Sequence, residues 1–351
     1  MLTDKRIVVT GGTGSLGKVL IRRLLSGELG RPKEIVVFSR DEAKQHEMRL
    51  AFQHRRFATD EVIYRNFEQL LQFRIGDVRD IHSVSTALRQ ADVVFNAAAL
   101  KQVPSCEYFP FEAVQTNIIG AENIVRAIRE HHLPVEIVVG ISTDKACKPV
   151  NVMGMTKAVQ ERIFVRANLD HSDTRFICVR YGNVLASRGS VIPLFHEQIR
   201  RGGPVTITTT DMTRFLLSLE QAVDTIFAAV QHGNPGETYI PRVPSARVTD
   251  IAAALIGKRP VKTAVTGIRP GEKVHEILVS EEEAYRTIER QDYYVILPML
   301  PELRRAEIGA PLGKEYSSAD NVMAGSEVTT LLAKHKLMVE DGFVYEEDML
   351  A

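Results

Sequence analysis

Tryptophan is absent from the 351 residues, cysteine occurs only three times (Cys106, Cys147, Cys178), and neither charge sign is in excess. Three widely spaced cysteines argue against a disulfide framework or a structural zinc site and suit a reducing compartment. Lys and Arg number 44 and Asp and Glu also 44, a formal charge of zero. Without a basic field there is nothing to hold nucleic acid or acidic lipid, so neither is expected as a partner. No apolar run approaches the roughly 18 residues of a membrane span, and the opening MLTDKRIVVTGG lacks the basic n-region and cleavage site of a signal peptide. These absences lead to the expectation of a cytoplasmic protein with no membrane partner and no metal. What is present agrees: 44% apolar and 25% charged residues suffice for one large or two ordinary cores and exclude disorder as a global description.

The first 180 residues repeat one rhythm, a short apolar run followed by an amphipathic stretch. The runs Arg6 to Thr10, Glu34 to Phe38, Leu71 to Ile75, Asp92 to Asn96, Val135 to Ile141 and Arg175 to Tyr181 are rich in β-branched residues and continuously apolar. That pattern predicts strands buried on both faces, hence an α/β fold with a doubly wound parallel sheet of the Rossmann type over residues 1–182. The stretch His54 to Gln72 is long and charged for a connection and reads as a solvated helix and loop. Beyond Tyr181 the rhythm changes. Helices are expected at Val191 to Arg201 and Leu219 to Gln231, and short strands at Val205 to Thr208 and Thr238 to Ile240. Residues 183–351 are therefore read as a smaller C-terminal α/β lobe, partly interleaved, with the helix around 219–232 returning to the sheet.

Gly11, Gly14 and Gly17 form GxxGxxG between the strand RIVVT and an amphipathic helix. Glycines are needed where a backbone turns tightly beside a pyrophosphate, and a helix N-terminus supplies free N–H groups and partial positive charge. This context favours dinucleotide binding over a structural turn, with Thr13, Ser15 and Leu16 among the contacts. The second strand ends Phe38-Ser39-Arg40 where an NAD site usually carries an acid, so a hydroxyl and a guanidinium, with Lys44 behind them, favour the 2′-phosphate of NADP. Asp41 and Glu42 follow and keep NAD open. Asp77, with Val78 beside it, reads either as an adenine contact or as the cap of a helix starting at Ile81. The small residues Ala97, Ala98 and Ala99 leave room for a cofactor against the fourth strand.

The fifth strand ends Ser142-Thr143-Asp144-Lys145, where a doubly wound sheet opens its ligand crevice. A helix follows with Met153 and Lys157 one turn apart on one face. The bland reading of Asp144 and Lys145 is a surface salt bridge. The pattern resembles the extended short-chain dehydrogenase/reductase superfamily, in which a Tyr and a Lys four residues apart occupy this helix. Here Met153 stands at the Tyr position and Lys157 is retained. A thioether cannot exchange a proton, which weighs against a plain dehydrogenase or a UDP-sugar 4-epimerase. Together with SRDEAKQ, AAALKQVPSCEYFP, NIIGAENI, RYGNVLASRGSVIPLF, MTRF and GIRPGEK, the sequence is similar over about residues 5 to 285 to bacterial nucleotide-sugar 4,6-dehydratases of capsule and surface glycan synthesis, particularly those that also invert C5.

The resemblance implies UDP-N-acetylglucosamine as substrate, Lys145 as the base at C5, Asp144 as the acid at O6, and a tightly bound NADP regenerated in each cycle. An adjacent Asp and Lys would ionise each other into the wrong states, so burial under the substrate, with the positive charge of Lys157 and of the oxidised nicotinamide, is expected to depress Lys145 and leave a neutral pair. Thr143 is a relay for the C4 hydroxyl proton toward Lys145 or Lys157. The resemblance also implies substrate contacts at Asn183, at Val191 opening a helix, at Thr206, Thr208 and Arg214, and at Arg269 with Glu272, with Lys101 near the sugar or phosphates. An Arg pair suits a diphosphate through planar bidentate donors. Cys106 and Cys147 are assigned packing roles, since neither has a neighbouring His. A homo-oligomer, by analogy a hexamer, is expected. A protein that binds NADP without turnover is the reading from a different class.

Overall fold

The computed structural model describes residues 1–54, 69–170, 173–185, 190–304 and 309–341. The chain begins with β1 (Arg6–Thr10), β2 (Glu34–Ser39), β3 (Leu71–Ile75), β4 (Val93–Asn96), β5 (Ile137–Thr143) and β6 (Arg175–Tyr181). After these come β7 (Val205–Ile207), β8 (Thr213–Phe215), β9 (Thr238–Pro241), β10 (Ser245–Arg247) and β11 (Thr263–Val265). The last are β12 (Ile277–Val279), β13 (Thr287–Arg290), β14 (Tyr293–Ile296) and β15 (Tyr316–Ser317). Among the described residues the main sheet has the order β13-β14-β9-β6-β5-β4-β1-β2-β3. From β3 to β9 every pairing is parallel; β14 and β13 add an antiparallel hairpin at one end. This is a Rossmann fold with a mixed edge, where a purely parallel sheet was expected.

The parallel strands β1, β2, β4, β5 and β6 are largely buried on both faces, as their apolar runs require, whereas the edge strand β3, LQFRI, alternates and leaves Gln72 and Ile75 exposed, against the expectation of a strand buried on both faces. Ile7 and Val9 enter the cluster that holds Leu20, Ile21 and Val37, while Val8 between them enters the opposite one with Phe38, Val94 and Phe164. The helix Ser15–Ser26 lays Leu20, Ile21, Leu24 and Leu25 on the sheet and stops at Gly27, whose φ of 79° is left-handed. The helix Leu219–His232, opened by a Ser218/Gln221 capping box, returns to the same face and packs on Ser15–Ser26, β6 and β9. Thr238 to Ile240, expected as a strand of the smaller lobe, instead continues the main sheet beside β6, with Cys178 opposite Thr238 and Val179 opposite Tyr239. The sheet thus draws residues from both sides of position 182.

A third cluster, including Phe195, Ile199, Val205, Ile207, Ile251, Leu255 and Leu332, fills the smaller lobe. Around it lie the pairs β7/β11, β8/β10 and β12/β15. Of the long connection read between His54 and Gln72, β3 begins at Leu71 and residues 55–68 lie outside the described residues.

Candidate active site

Gly11, Ser39, Asp77, Ala97, Thr143 and Asn183 all lie at or just beyond the C-terminal ends of parallel strands and so share one edge of the sheet. Gly11 has φ 65°, and a Cβ there would lie 2.7 Å from the Ala98 nitrogen and 2.9 Å from the Ala97 carbonyl carbon. Only glycine permits that approach. Gly14 is the exposed N-cap of the Ser15–Ser26 helix, without a side-chain cap, and its nearest contact for an added Cβ is Gly11 O at 3.4 Å. A cofactor phosphate could therefore approach the backbone of this first turn, at the positive end of the helix. Gly17 packs the helix on the strand end, since a Cβ would meet Gly12 at 2.6 Å. The three glycines thus serve as turn, open approach and packing contact.

Thr13 and Ser39 join their hydroxyls at 3.0 Å, and Thr10 Oγ1 accepts from Ala98 N while donating to Asn96, fixing the Ala97–Ala99 loop. Arg40 is exposed and reaches Asp77 at 3.9 Å, and Lys44 pairs with Asp41 at 3.3 Å. Asp77 is claimed by Arg79, which holds its carboxyl below the usual range despite burial. Its alternative as a helix cap is corrected: Asp80 caps Ile81–Leu88, accepting from His82 N and Ser83 N. Val78 is buried and its carbonyl accepts from Asn123 Nδ2.

At the end of β5 the chain tightens into a 3₁₀ turn, Asp144–Ala146, capped by Thr143. Thr143 Oγ1 donates to Asp144 Oδ1 at 2.9 Å, and Lys145 Nζ donates to the same oxygen at 3.0 Å and to Asn183 Oδ1 at 3.1 Å. The turn is pressed by the next helix, Val152–Ala167: a Cβ on Gly154 would sit 2.1 Å from Lys145 O. Asp144 is wholly buried, and its Oδ2 has no hydrogen-bond partner among the described residues.

A residue not anticipated from sequence completes this cluster. Glu276 Oε1 lies 3.5 Å from Lys145 Nζ and 3.8 Å from Arg214 Nε, and its Oε2 is buried without a hydrogen-bond partner among the described residues. Burial of the Lys145 amine disfavours its charge, but Asp144 and Glu276 outweigh that and hold it above its ordinary value. The chain's own carboxylates thus raise the Lys145 amine, in the direction opposite to the one expected from a bound substrate, nicotinamide and Lys157. The depressed amine is Lys157, lowered to about 8 by burial and donating to Gln160 Oε1 at 2.6 Å.

Met153 is buried with Cys106 and Ala113 in a small apolar cluster. Burial pushes the Cys106 thiol up to about 11 and the Cys147 thiol to about 12, in keeping with packing roles. Behind the turn, Arg180 is clasped between Glu161 (2.6 Å) and Glu283 (2.7 Å), with Ser142 donating to Glu161. Asn117, in a π-helical turn Val114–Ile119, receives Leu100 N and donates to Leu100 O and to Thr156 Oγ1.

The remaining expected substrate residues separate into two sets. Asn183 and, through Glu276, Arg214 join the Lys145 cluster. Arg214 also donates to the Thr213 and Val274 carbonyls. Thr206 engages Gln198 through both its hydroxyl and its N–H, and Thr208 accepts from Gly267 N. Val191 opens the helix Val191–Arg200. Arg269 is exposed on the loop whose Gly271 carbonyl accepts from Asn151, and Glu272 follows, half-buried. Lys101 is exposed beyond the Ala97–Ala99 loop.

Residues 7–298 match the family described as polysaccharide biosynthesis protein. The chain belongs to that family. Among its relatives is a protein named UDP-glucose 4-epimerase from Rickettsia rickettsii (strain Sheila Smith), 43% identical over 301 residues and 84% of each chain. A protein of Methanocaldococcus jannaschii named as an uncharacterized membrane protein is 44% identical over 306 residues, 84% of this chain and 86% of its own. No helix among the described residues of this family member is long and apolar enough to cross a membrane. Of solved structures, Pen from Bacillus thuringiensis superposes with a TM-score of 0.85 at 32% identity, covering 96% of this chain and all of that one.

Proposed function

We propose that this family member is an NADP-dependent UDP-N-acetylglucosamine 4,6-dehydratase that inverts C5 and yields a UDP-2-acetamido-2,6-dideoxy-4-hexulose. The reading is carried by one juxtaposition: a buried thioether, Met153, stands where a proton-exchanging hydroxyl was expected, while an acid and an amine, Asp144 and Lys145, meet at 3.0 Å on the neighbouring turn. Elimination across C5 and C6 needs a base for carbon-bound hydrogen and an acid for the leaving hydroxyl, and this pair supplies both.

A nicotinamide cofactor, when bound, supplies reversible storage for the hydride of C4. The fit of the chain to it rests on Gly11 and the open first turn at Gly14, and Ser39, Arg40 and Lys44 favour the 2′-phosphate form. Lys145 takes the C5 proton that a 4-ketone acidifies, and Asp144 protonates the departing O6. Both start as an ion pair. One proton passing from Nζ to Oδ1 converts it to the neutral amine and neutral acid at constant net charge. Glu276 opposes that transfer by favouring the ammonium, and Arg214, 3.8 Å away, competes for the Glu276 charge. Thr143 relays the C4 hydroxyl proton, and Lys157, with its pKa near 8, is the amine best able to hold it. Asn183, Arg214, Arg269, Glu272, Thr206, Thr208, Lys101 and the helix start at Val191 hold the UDP-sugar. A cytoplasmic homo-oligomer, by analogy a hexamer, completes the proposal.

The Rickettsia relative, named UDP-glucose 4-epimerase, favours a second reading, a UDP-sugar 4-epimerase. Incubation with UDP-N-acetylglucosamine in deuterated water separates the two. The proposal expects loss of water and deuterium at C5, with NMR reporting an inverted centre. An unlabelled C4 epimer would establish the epimerase instead, and tight NADP retention with no product would favour a non-catalytic binding protein.

A further inference from the structure

A cavity of about 480 Å³ opens away from the catalytic turn, between the loop before β9 and the segments that flank the β13/β14 hairpin. Its wall includes Asn234, Glu237, Tyr285, Arg286, Pro298 and Arg304. The wall is packed rather than loose: Gly236, at φ 80°, would place a Cβ 3.1 Å from both Pro298 and Leu303.

The charges around it are unevenly partnered. Glu237 is held by Arg290 at 2.7 Å. Arg286, in contrast, donates to the Leu297 carbonyl, and among the described residues it pairs with Glu283 at 3.8 Å, a carboxylate already bonded to Arg180. Arg304 donates to the Pro298 and Met299 carbonyls, and Arg162 reaches the Met299 sulfur at 3.2 Å. Burial and the positive charges of Arg162, Arg180 and Arg304 together hold Arg286 below its ordinary pKa, against the pull of Glu283. Among the described residues the partners of Arg304 are carbonyls and Arg286 shares Glu283 with Arg180, although Glu282 also lines the cavity, and planar guanidinium forks suit phosphate oxygens.

We infer that this cavity binds a phosphate-bearing small molecule, with Arg286 and Arg304 as its anion contacts. Its volume falls in the range of small-ligand sites. Tyr285, 78% exposed at the rim, offers a ring for a base if the phosphate belongs to a nucleotide. Glu283 lies between Arg286 and the Arg180–Glu161–Ser142 chain, so an anion on Arg286 would act on the network directly behind Thr143.

Calorimetric titration of the full chain at constant ionic strength tests this, with inorganic pyrophosphate as one probe and uridine monophosphate as the other. Arg304→Gln and Arg286→Lys are compared with Arg214→Gln, which alters the nucleotide-sugar site. The expected result is a saturable site that Arg214→Gln retains, that Arg304→Gln weakens at least tenfold, and that Arg286→Lys keeps in part because the charge remains. A tighter fit for the nucleotide, lost in Tyr285→Ala, identifies a nucleotide ligand; equal binding of both probes identifies phosphate alone. Absence of saturable binding, or a site lost only in Arg214→Gln, overturns the inference.

Discussion

Two lysines twelve residues apart in sequence are buried in opposite ways. Lys145, on the turn after β5, is enclosed by Asp144, Glu276 and the Asn183 amide oxygen, and despite burial the two carboxylates hold its pKa above the ordinary value. Lys157, on the following helix, has Gln160 as its close partner and falls to about 8. Burial acts on both amines in the same direction, so the difference comes from carboxylates placed within 4 Å of one and not the other. A sequence that shows two lysines near a strand end does not say which amine is raised and which is lowered. Asp144 beside Lys145 is visible there, and a second carboxylate that adds to it arrives from residue 276.

The contrast can be broken at four points. Lys145→Met should have the largest effect, removing turnover and deuterium uptake at C5 by about 10³-fold or more, because the base is gone; near-normal C5 exchange would remove Lys145 from that role. Lys157→Met should cost about 10²-fold in kcat while leaving UDP binding intact. In the native chain kcat should fall as the pH drops below about 8, where Lys157 becomes charged.

The stability of the same variant carries a second signature. With a folded pKa near 8 and an ordinary value of 10.5, the unfolded chain binds more protons between those limits, so native stability rises with pH across that window. Thermal melts of Lys157→Met should lack that rise.

Glu276→Gln should act more mildly, within about tenfold in kcat, while shifting the limb of the pH profile that reports Lys145 to lower pH. An unmoved limb would show that Asp144 alone sets the amine. Met153→Tyr should change turnover least in kind. The larger ring overfills the Cys106/Ala113 cluster at a cost of about 1–3 kcal/mol, readable as a lower Tm, and the product should still be dehydrated rather than a C4 epimer.

Much of the scaffold was readable from local pattern. Apolar runs marked six parallel strands, five of them without alternation and the edge strand LQFRI with it, and the structure gives β1, β3 and β6 with the expected limits. What escaped were features made by long-range pairing. Thr238 to Ile240 was visible as a strand, but its place beside β6 depends on where the preceding helix returns, which no local period encodes. The β13/β14 hairpin lay in a stretch whose turns obscured its strands. In the site, glycine spacing and the Thr-Asp-Lys run were legible because each acts within a few residues of itself. Glu276 was not, being 131 positions from Lys145 in a segment noted for its Arg269 and Glu272. The Asp77 and Asp80 exchange has a similar cause: both precede the helix, and Arg79 between them decides which is free to cap it.

Asn117 has a mechanical consequence. Its single amide joins the loop after β4 to the helix carrying Lys157, through Leu100 on one side and Thr156 on the other, so these two parts behave as one plate. Lys145 is also linked to Asn183 and Glu276 beyond position 182, while Asp144 lies on its own turn. Displacing Glu276 would remove one of the two carboxylates that raise the Lys145 amine and leave the other, so its proton affinity registers in part where that later segment sits.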